Sequence, residues 1–201
     1  MYRNYVKRLF DLAFAIVLLP VWALILVIVG PMIYFEDRGP VFYNAPRLGR
    51  NGKVFIMYKF RSMKVNSPDL RNADGSTFNA KDDPRLTRIG RFLRETSIDE
   101  TPQILNVIKG DMSLIGPRPD LPDHIREYDE REKRKLEVRP GITGYNQAYY
   151  RNSLPWKERL LNDVYYVDHL SFLLDLRIFL KTITSVFKRD AVFIGESSRH
   201  E

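Results

Sequence analysis

Asp99 and Glu100 are adjacent carboxylates, and four arginines, Arg85, Arg88, Arg91 and Arg94, lie just upstream of them. Adjacent acids at the opening of a helix meet free backbone N–H groups, whose positive potential keeps a carboxylate ionised and also attracts phosphate. Asp99 is therefore a candidate nucleophile toward a phosphoryl group. Glu100 is a candidate ligand for Mg²⁺, which takes one or two carboxylates together with substrate oxygens. The competing reading is structural: Ser97-Ile98-Asp99-Glu100 fits a capping box that opens a helix toward Lys109, with Gly110 as its stop. Three further cations stand where the backbone is stiff: Lys59 in Tyr58-Lys59-Phe60-Arg61, Arg118 between two prolines, and Arg139 before Pro140-Gly141. Proline fixes the backbone and so aims a neighbouring side chain, and an arginine fork suits phosphate oxygens. Each could equally be a solvated surface cation. Asp175, on an apolar helical face, is either a paired buried carboxylate or a site residue.

Composition narrows the chemistry. The 201 residues are 44% hydrophobic and 28% charged, with Lys+Arg 32 against Asp+Glu 25, a net +7. A chain of this length forms one compact domain with attachments, and its basic surface favours polyanions: nucleic acid, phosphorylated small molecules or an anionic membrane face. The absence of cysteine excludes disulfides, thiolate nucleophiles and Cys-type zinc sites, and three scattered histidines, His124, His169 and His200, argue against a His-rich metal site. Any catalysis must use carboxylates, hydroxyls and bases.

The elements that must position these residues begin with a membrane segment. Residues 12 to 35 carry no charged side chain, enough helix to cross a hydrocarbon core of roughly 30 Å. A cleaved signal peptide fits less well, because Asp11 interrupts the basic n-region and no small-residue cleavage site follows. Pro20 predicts a break in the run. Arg3, Lys7 and Arg8 precede the run while Arg38, Arg47, Arg50 and Lys53 follow it, so neither flank is the less basic. That symmetry fits a helix that dips in and returns, and a Pro-kinked span remains the alternative.

Beyond the membrane run, Asn51-Gly52 between two β-prone runs, Val41-Phe42-Tyr43 and Val54 to Tyr58, predicts a β-hairpin. Asn66 to Asp83 reads as a surface loop and Leu86 to Arg94 as a short basic helix. Gly116-Pro117-Arg118-Pro119 cannot be regular, Ile125 to Val138 reads as a charged helix, and Arg139 to Gly144 as a turn-rich break. Trp156 to Phe187 has apolar residues at helical spacing, which suits either helices at a headgroup boundary or core-facing helices of a soluble domain. The tail from Asp190 reads as frayed.

Taken together, these segments resemble the monotopic phosphoglycosyl transferases, the bacterial sugar transferases of the small PglC-like type. The resemblance runs from Arg3 to about Lys188. It rests on the N-terminal Tyr-Arg-Asn-Tyr-Val-Lys-Arg before the apolar run, Gly39-Pro40-Val41-Phe42, Tyr58-Lys59-Phe60-Arg61-Ser62-Met63 and Asp83-Pro84-Arg85-Leu86-Thr87-Arg88-Ile89-Gly90. It continues through Ser97-Ile98-Asp99-Glu100-Thr101-Pro102-Gln103, Lys109 to Pro119 and Arg139-Pro140-Gly141-Ile142-Thr143-Gly144. Two departures stand out: Leu19-Pro20 where members commonly have Ser-Pro, and Tyr145-Asn146-Gln147-Ala148 where relatives commonly run Leu-Ala-Gln-Val.

The resemblance implies transfer of a sugar-1-phosphate from a UDP-sugar to polyprenol phosphate, usually undecaprenyl phosphate, with release of UMP and Mg²⁺ as cofactor. It implies Asp99 as the nucleophile that forms a phosphosugar-aspartyl intermediate and Glu100 as the metal-positioning residue. Lys59, Arg94, Arg118, Arg139, Arg151 and Asp175 are implied substrate-binding positions. The implied fold is an α-rich α+β domain with a re-entrant helix-break-helix hairpin over residues 1–38. A small β-hairpin and amphipathic interfacial helices then belong to a catalytic domain over residues 39–189, with a flexible tail over 190–201. The implied place is the cytoplasmic face of the bacterial inner membrane, with homo-oligomers possible and no nucleic acid as partner. The rival readings are a membrane-tethered protein that holds nucleotide-sugar or anionic lipid without turnover and, on charge alone, a nucleic-acid binder.

Overall fold

The computed structural model describes residues 2–72, 78–80, 82–150 and 153–188. After a π-helical turn at Tyr2–Val6, helix α1 runs through Lys7–Asp37, 31 residues or about 46 Å. Its buried residues, Lys7, Asp11, Ala15, Val29, Gly30 and Ile33, recur at helical spacing, and Leu18, Trp22, Ile25 and Leu26 fill the same stripe between them. One face of the helix is thus packed along its length on the rest of the protein. The opposite face exposes Leu9, Phe10, Val17, Leu24, Val27, Ile28 and Phe35. The break expected at Leu19-Pro20 is not present: both Pro20 and Pro31 lie inside one continuous helix. Each proline removes a single backbone donor, and packing along the stripe holds the turns on either side.

Both ends of α1 are fastened to the same body. At the N-terminal end Lys7 Nζ lies 2.7 Å from Asp175, Arg8 donates to the Val107 and Ile108 carbonyls at 2.7 and 3.1 Å, and Asp11 accepts from Ser113 Oγ and the Leu114 N–H. At the C-terminal end Glu36 accepts from the Arg88 and Ile89 N–H groups, so it caps the next helix, while Asp37 takes both forks of Arg61.

The expected hairpin forms: β1 (Phe42–Leu48) pairs antiparallel with β2 (Val54–Phe60) through a turn at Arg50–Gly52 in which Asn51 and Gly52 take positive φ of 58° and 72°. The far edge of β2 is finished by a side chain, since the Asn106 amide accepts from the Tyr58 N–H and donates to the Ile56 carbonyl. Phe55 and Met57 then meet Ala15 of α1 and Ile104, Val107 and Met112 in the core. The short basic helix is α2 (Arg88–Glu95), capped by Thr87. It lies so close to the end of β2 that a Cβ on Gly90 would stand 1.8 Å from the Ser62 carbonyl oxygen.

Helix α3 (Gln103–Lys109) ends on Gly110 at φ 99°, as the glycine stop requires, and leads into β3 (Ser113–Ile115). The Arg139 to Gly144 segment is more than a turn, because Gly141–Thr143 forms β4, parallel to β3. Side-chain-free backbones make that contact: a Cβ on Gly141 would stand 2.1 Å from the Gly116 nitrogen. The helix expected over Ile125 to Val138 is instead two 3₁₀ segments, Pro122–Glu127 and Glu132–Glu137. Between them Asp129 and Glu132 cap each other reciprocally, each carboxylate accepting the other's N–H at 2.7 and 2.9 Å, which forbids a through-running helix. A short helix α4 (Tyr145–Tyr149), then α5 (Trp156–Asp168) and α6 (Phe172–Lys188) complete the fold and enclose Ile115, Val138, Ala148, Tyr166, Val167 and Ile178. The α-rich α+β class stands. The tail from 190 to 201 lies outside the described residues.

Candidate active site

Asp99 and Glu100 lie on a single 3₁₀ turn, Ile98–Glu100, between α2 and α3. The capping box does not form. Ser97 is left-handed, φ 58°, and makes no side-chain cap, while the Glu100 carboxylate is taken up elsewhere. Lys59 Nζ, projecting from β2, lies 2.7 Å from Glu100 Oε1, and an Arg118 terminal nitrogen lies 2.7 Å from the same oxygen. Two cations on one carboxylate oxygen outcompete a local N–H. Among the described residues Oε2 carries only a 3.4 Å contact from Arg118. Asp99 is buried, and Arg94 completes the group, its guanidinium steered by Ser62 Oγ at 3.0 Å and Asn79 Oδ1 at 3.1 Å.

The charges at this turn are unlike one another. Burial raises the Asp99 pKa above the usual carboxylate range, with Glu100 adding to the rise and Lys59, Arg94 and Arg118 opposing it. Burial would raise Glu100 too, but Arg118 and Lys59 overcome it and hold Glu100 well below that range. Burial lowers Arg94 against the pull of Asp99, whereas Glu100 raises Arg118. Glu100 is thus a fixed anion bridging two cations, and Asp99 is a shielded carboxyl facing three.

Arg118 is aimed by a buried polar cluster. Lys135 Nζ donates to the Arg118 carbonyl at 3.2 Å and pairs with Asp120 at 2.6 Å and Asp163 at 2.8 Å. The Tyr128 hydroxyl donates to Asp120, the Leu48 N–H takes the Asp120 carbonyl, and Asn146 donates to Asp163. Pro117 and Pro119 stiffen the loop that these contacts hold. Sequence reasoning missed Lys135, Asp120 and Asp163. The signal was slight: Glu132 and Lys135, the two buried members of a charged run, are three residues apart, and Leu136 is the only apolar residue beside them.

Of the residues expected to bind substrate, Lys59, Arg94 and Arg118 gather around Asp99 and Glu100. Arg139 and Asp175 do not. Arg139 donates to the Gly110 carbonyl at 2.8 Å, at the opposite end of α3, and Asp175 is a buried acceptor for Lys7, Tyr2 and Tyr166 at 2.6 to 2.7 Å. Asp175 therefore ties α6 and α5 to the start of α1. Arg151 lies outside the described residues.

Among the described residues no group of three or more His, Cys, Asp or Glu side chains converges on one point. The donor set available to a divalent ion is the Asp99 and Glu100 pair, with Glu100 Oε2 the oxygen less engaged by protein cations. That fits Mg²⁺ sharing its shell with substrate oxygens rather than a metal held by protein alone.

A carboxylate pair inside a cluster of cations is suited to reaction at phosphorus. The family profile described as bacterial sugar transferase matches residues 2–189. The chain is 44% identical over 186 residues to the sugar transferase EpsL of Bacillus subtilis, covering 92% of this chain and 89% of that one. It is 39% identical to the undecaprenyl-phosphate galactose phosphotransferase of Salmonella typhimurium and 39% identical to the undecaprenyl-phosphate glucose phosphotransferase of Komagataeibacter xylinus. Those matches take in 94% and 92% of this chain but only 42% and 36% of the relatives, so the chain spans about two-fifths of their length. With the match running from the first described residue to the end of α6, the chain belongs to the bacterial sugar transferase family.

Proposed function

We propose that this protein transfers a sugar-1-phosphate from a UDP-sugar to polyprenol phosphate, undecaprenyl phosphate in the relatives' chemistry, at the cytoplasmic face of the bacterial inner membrane. The observation that carries the reading is the buried Asp99 beside a Glu100 already bridged by Lys59 and Arg118. In the first step an Asp99 carboxylate oxygen attacks the sugar-linked phosphorus. The bond from that phosphorus to the bridging oxygen breaks, and UMP leaves with the oxygen and its electron pair. In the second step a polyprenol phosphate oxygen attacks the aspartyl-bound phosphorus, the bond to Asp99 breaks, and the carboxylate is regenerated. The product is a polyprenyl diphosphate sugar, the starting lipid of a glycoconjugate. Transfer at phosphorus demands positioning and charge neutralisation more than proton relay, and Lys59, Arg94 and Arg118 supply both without histidine or cysteine.

Glu100 would hold Mg²⁺ together with substrate oxygens, and the ion would supply Lewis-acid neutralisation of the diphosphate. Lys59 and Arg118 orient Glu100 for that role and remain available to phosphate oxygens. A covalent intermediate lets one site treat two large anions in turn.

The membrane arrangement follows from α1. An apolar helix whose two ends and whole inner stripe are fastened to one polar body cannot leave one end on the far side of a bilayer without drawing that body in. We therefore read α1 as entering the membrane from one side, its exposed face in lipid. Cysteine labels before residue 8 and after residue 38 should both react from the cytoplasmic side alone; labelling from opposite sides would mean a span.

The reaction is tested by incubating the protein in nanodiscs with Mg²⁺, undecaprenyl phosphate and a panel of UDP-sugars, following UMP. Intact-mass measurement without acceptor should show a phosphosugar adduct that maps to the Asp99 peptide and disappears on adding polyprenol phosphate. UMP formation that strictly requires both substrates together, with no adduct, would replace the two-step scheme by direct transfer.

A further inference from the structure

A second concentration of positive charge lies at the far end of α3, about 10 Å of helix away from the catalytic turn. A cavity there is lined by Arg3, Lys7, Arg8, Arg50 and Arg139 against Asp11 and Glu137, with Leu170 at its edge. Lys7 is spent on Asp175, and Arg8 on the last carbonyls of α3. The remaining three guanidiniums are only partly used. Arg50 and Arg139 each donate through Nε alone, to the Glu137 and Gly110 carbonyls, and their terminal amino groups have no partner among the described residues. Arg3 uses one terminal nitrogen, on Glu137. Counting Asp175, five cations face three carboxylates, so the cavity keeps an excess of positive charge and of free donors.

The cavity opens beside apolar surface. Phe10 and Phe172, close in sequence to the lining residues Asp11 and Leu170, meet as a tilted ring pair at 5.6 Å, both half-exposed, and the outer faces of α1 and α6 continue from them through Leu9, Val17, Leu173 and Leu180. Guanidinium forks pair with phosphate oxygens in two-point contacts, and basic residues at the end of an apolar helix lie at headgroup level.

We propose that this cavity holds the phosphate headgroup of an anionic membrane phospholipid, with its acyl chains along Phe10, Phe172 and the outer faces of α1 and α6. The proposal rests on α1 being embedded in the bilayer. It gives Arg139 a ligand other than the reacting sugar nucleotide, and it makes the lipid a clamp on the N-terminal end of α1.

The test uses the full chain in detergent with added dioleoylphosphatidylglycerol or dioleoylphosphatidylcholine, read by native mass spectrometry. One phosphatidylglycerol should survive activation that strips phosphatidylcholine, and Arg50→Gln with Arg139→Gln should cut its retention at least fivefold. Arg88→Gln with Arg91→Gln, which removes as much charge from exposed positions of α2, should leave retention unchanged. Where the Arg139 change disturbs folding, Arg3→Gln with Arg50→Gln should still lower retention at least twofold. Equal losses in all pairs, equal retention of phosphatidylcholine, or complete displacement by millimolar inorganic phosphate would overturn the proposal, the last pointing to a free-phosphate site. Flotation with zwitterionic vesicles reads the embedding separately: wild type that fails to float sinks the membrane reading itself, whereas floating protein without the retained lipid sinks only the headgroup site.

Discussion

Two ionic clusters flank the loop that carries Arg118, and they are built in opposite senses. Around Glu100 the cations prevail: Lys59, Arg94 and Arg118 face two carboxylates, and the Arg118 side chain is 47% exposed. Around Lys135 the acceptors prevail, with Asp120, Asp163 and the Arg118 carbonyl on one amine whose side chain is 4% exposed. The first cluster can trade a protein carboxylate for a phosphate oxygen without stranding a buried charge. The second exchanges partners at a higher cost, because the Lys135 amine and Asp163 are buried and either would be left unpaired away from solvent. One loop thus has a fixed root at Asp120 and a half-exposed tip at Arg118 paired with Glu100, an arrangement that suits the phosphate-binding role proposed for Arg118.

The sharpest way to separate the clusters is to remove one charge from each. Asp99→Asn should lower UMP release by roughly 10³-fold or more, since a nucleophile acts as a unit with its site, while the thermal midpoint holds or rises slightly. Lys135→Met should do the reverse. Stranding Asp120 and Asp163 without their cation costs about 3–5 kcal/mol, read in chemical denaturation, and lost activity should track lost fold. Adding Asp163→Asn to Lys135→Met should recover part of that stability, since one of the two stranded charges is gone. A Lys135→Met protein as stable as wild type would erase the distinction between an exchangeable and a fixed cluster.

How much of this was legible in the sequence differs between the same two places. Lys59 and Arg118 stood out through stiff surroundings and Arg94 through the family resemblance, and they do meet at Asp99 and Glu100, whereas Arg139, stiff in the same way, lies elsewhere. The hairpin was equally plain, because Asn51-Gly52 names its own turn. Lys135 was hidden, since a buried lysine within Arg131-Glu132-Lys133-Arg134-Lys135 has the same composition as a solvated face, and only tertiary contact with Asp120 and Asp163 distinguishes it. The capping box illustrates the same limit. The pattern was read at Ser97 and Glu100, where Lys59 and Arg118 take the carboxylate, and it operates at Asp129 and Glu132, where Lys157 reaches the same Glu132 oxygen without displacing the Asp129 N–H. β4 was unreadable for a related reason: three residues rich in turn signals become a strand only when Gly116 allows backbone to touch backbone. Asp175 could not be assigned locally either, because its partners Tyr2 and Lys7 are more than 160 residues away in sequence.

A pH profile sharpens the comparison further. In the proposed mechanism Asp99 attacks as the carboxylate, and burial holds its pKa above the usual range, so the acid limb of the rate should fall off above the ordinary carboxylate value of about 4. Arg118→Gln removes a cation that favours the charged form. Beyond lowering the rate, it should move that limb upward. A limb that stays in place while the rate falls would assign the titration to a group other than Asp99.

The smallest expected effect lies at the root of the fixed cluster. Asp129 and Glu132 cap the 3₁₀ segment that carries Lys135 inward, and Lys157 holds Glu132 from outside at 2.8 Å. Asp129→Ala removes one of the two reciprocal bonds and should cost about 1 kcal/mol in denaturation. Because Lys135 remains saturated by Asp120 and Asp163, the loop root should hold, and the KM for UDP-sugar should be unchanged. If that KM rises while stability drops so little, the position of Arg118 depends on the entry to the segment as well as on its buried end, and the fixed cluster extends outward to Asp129.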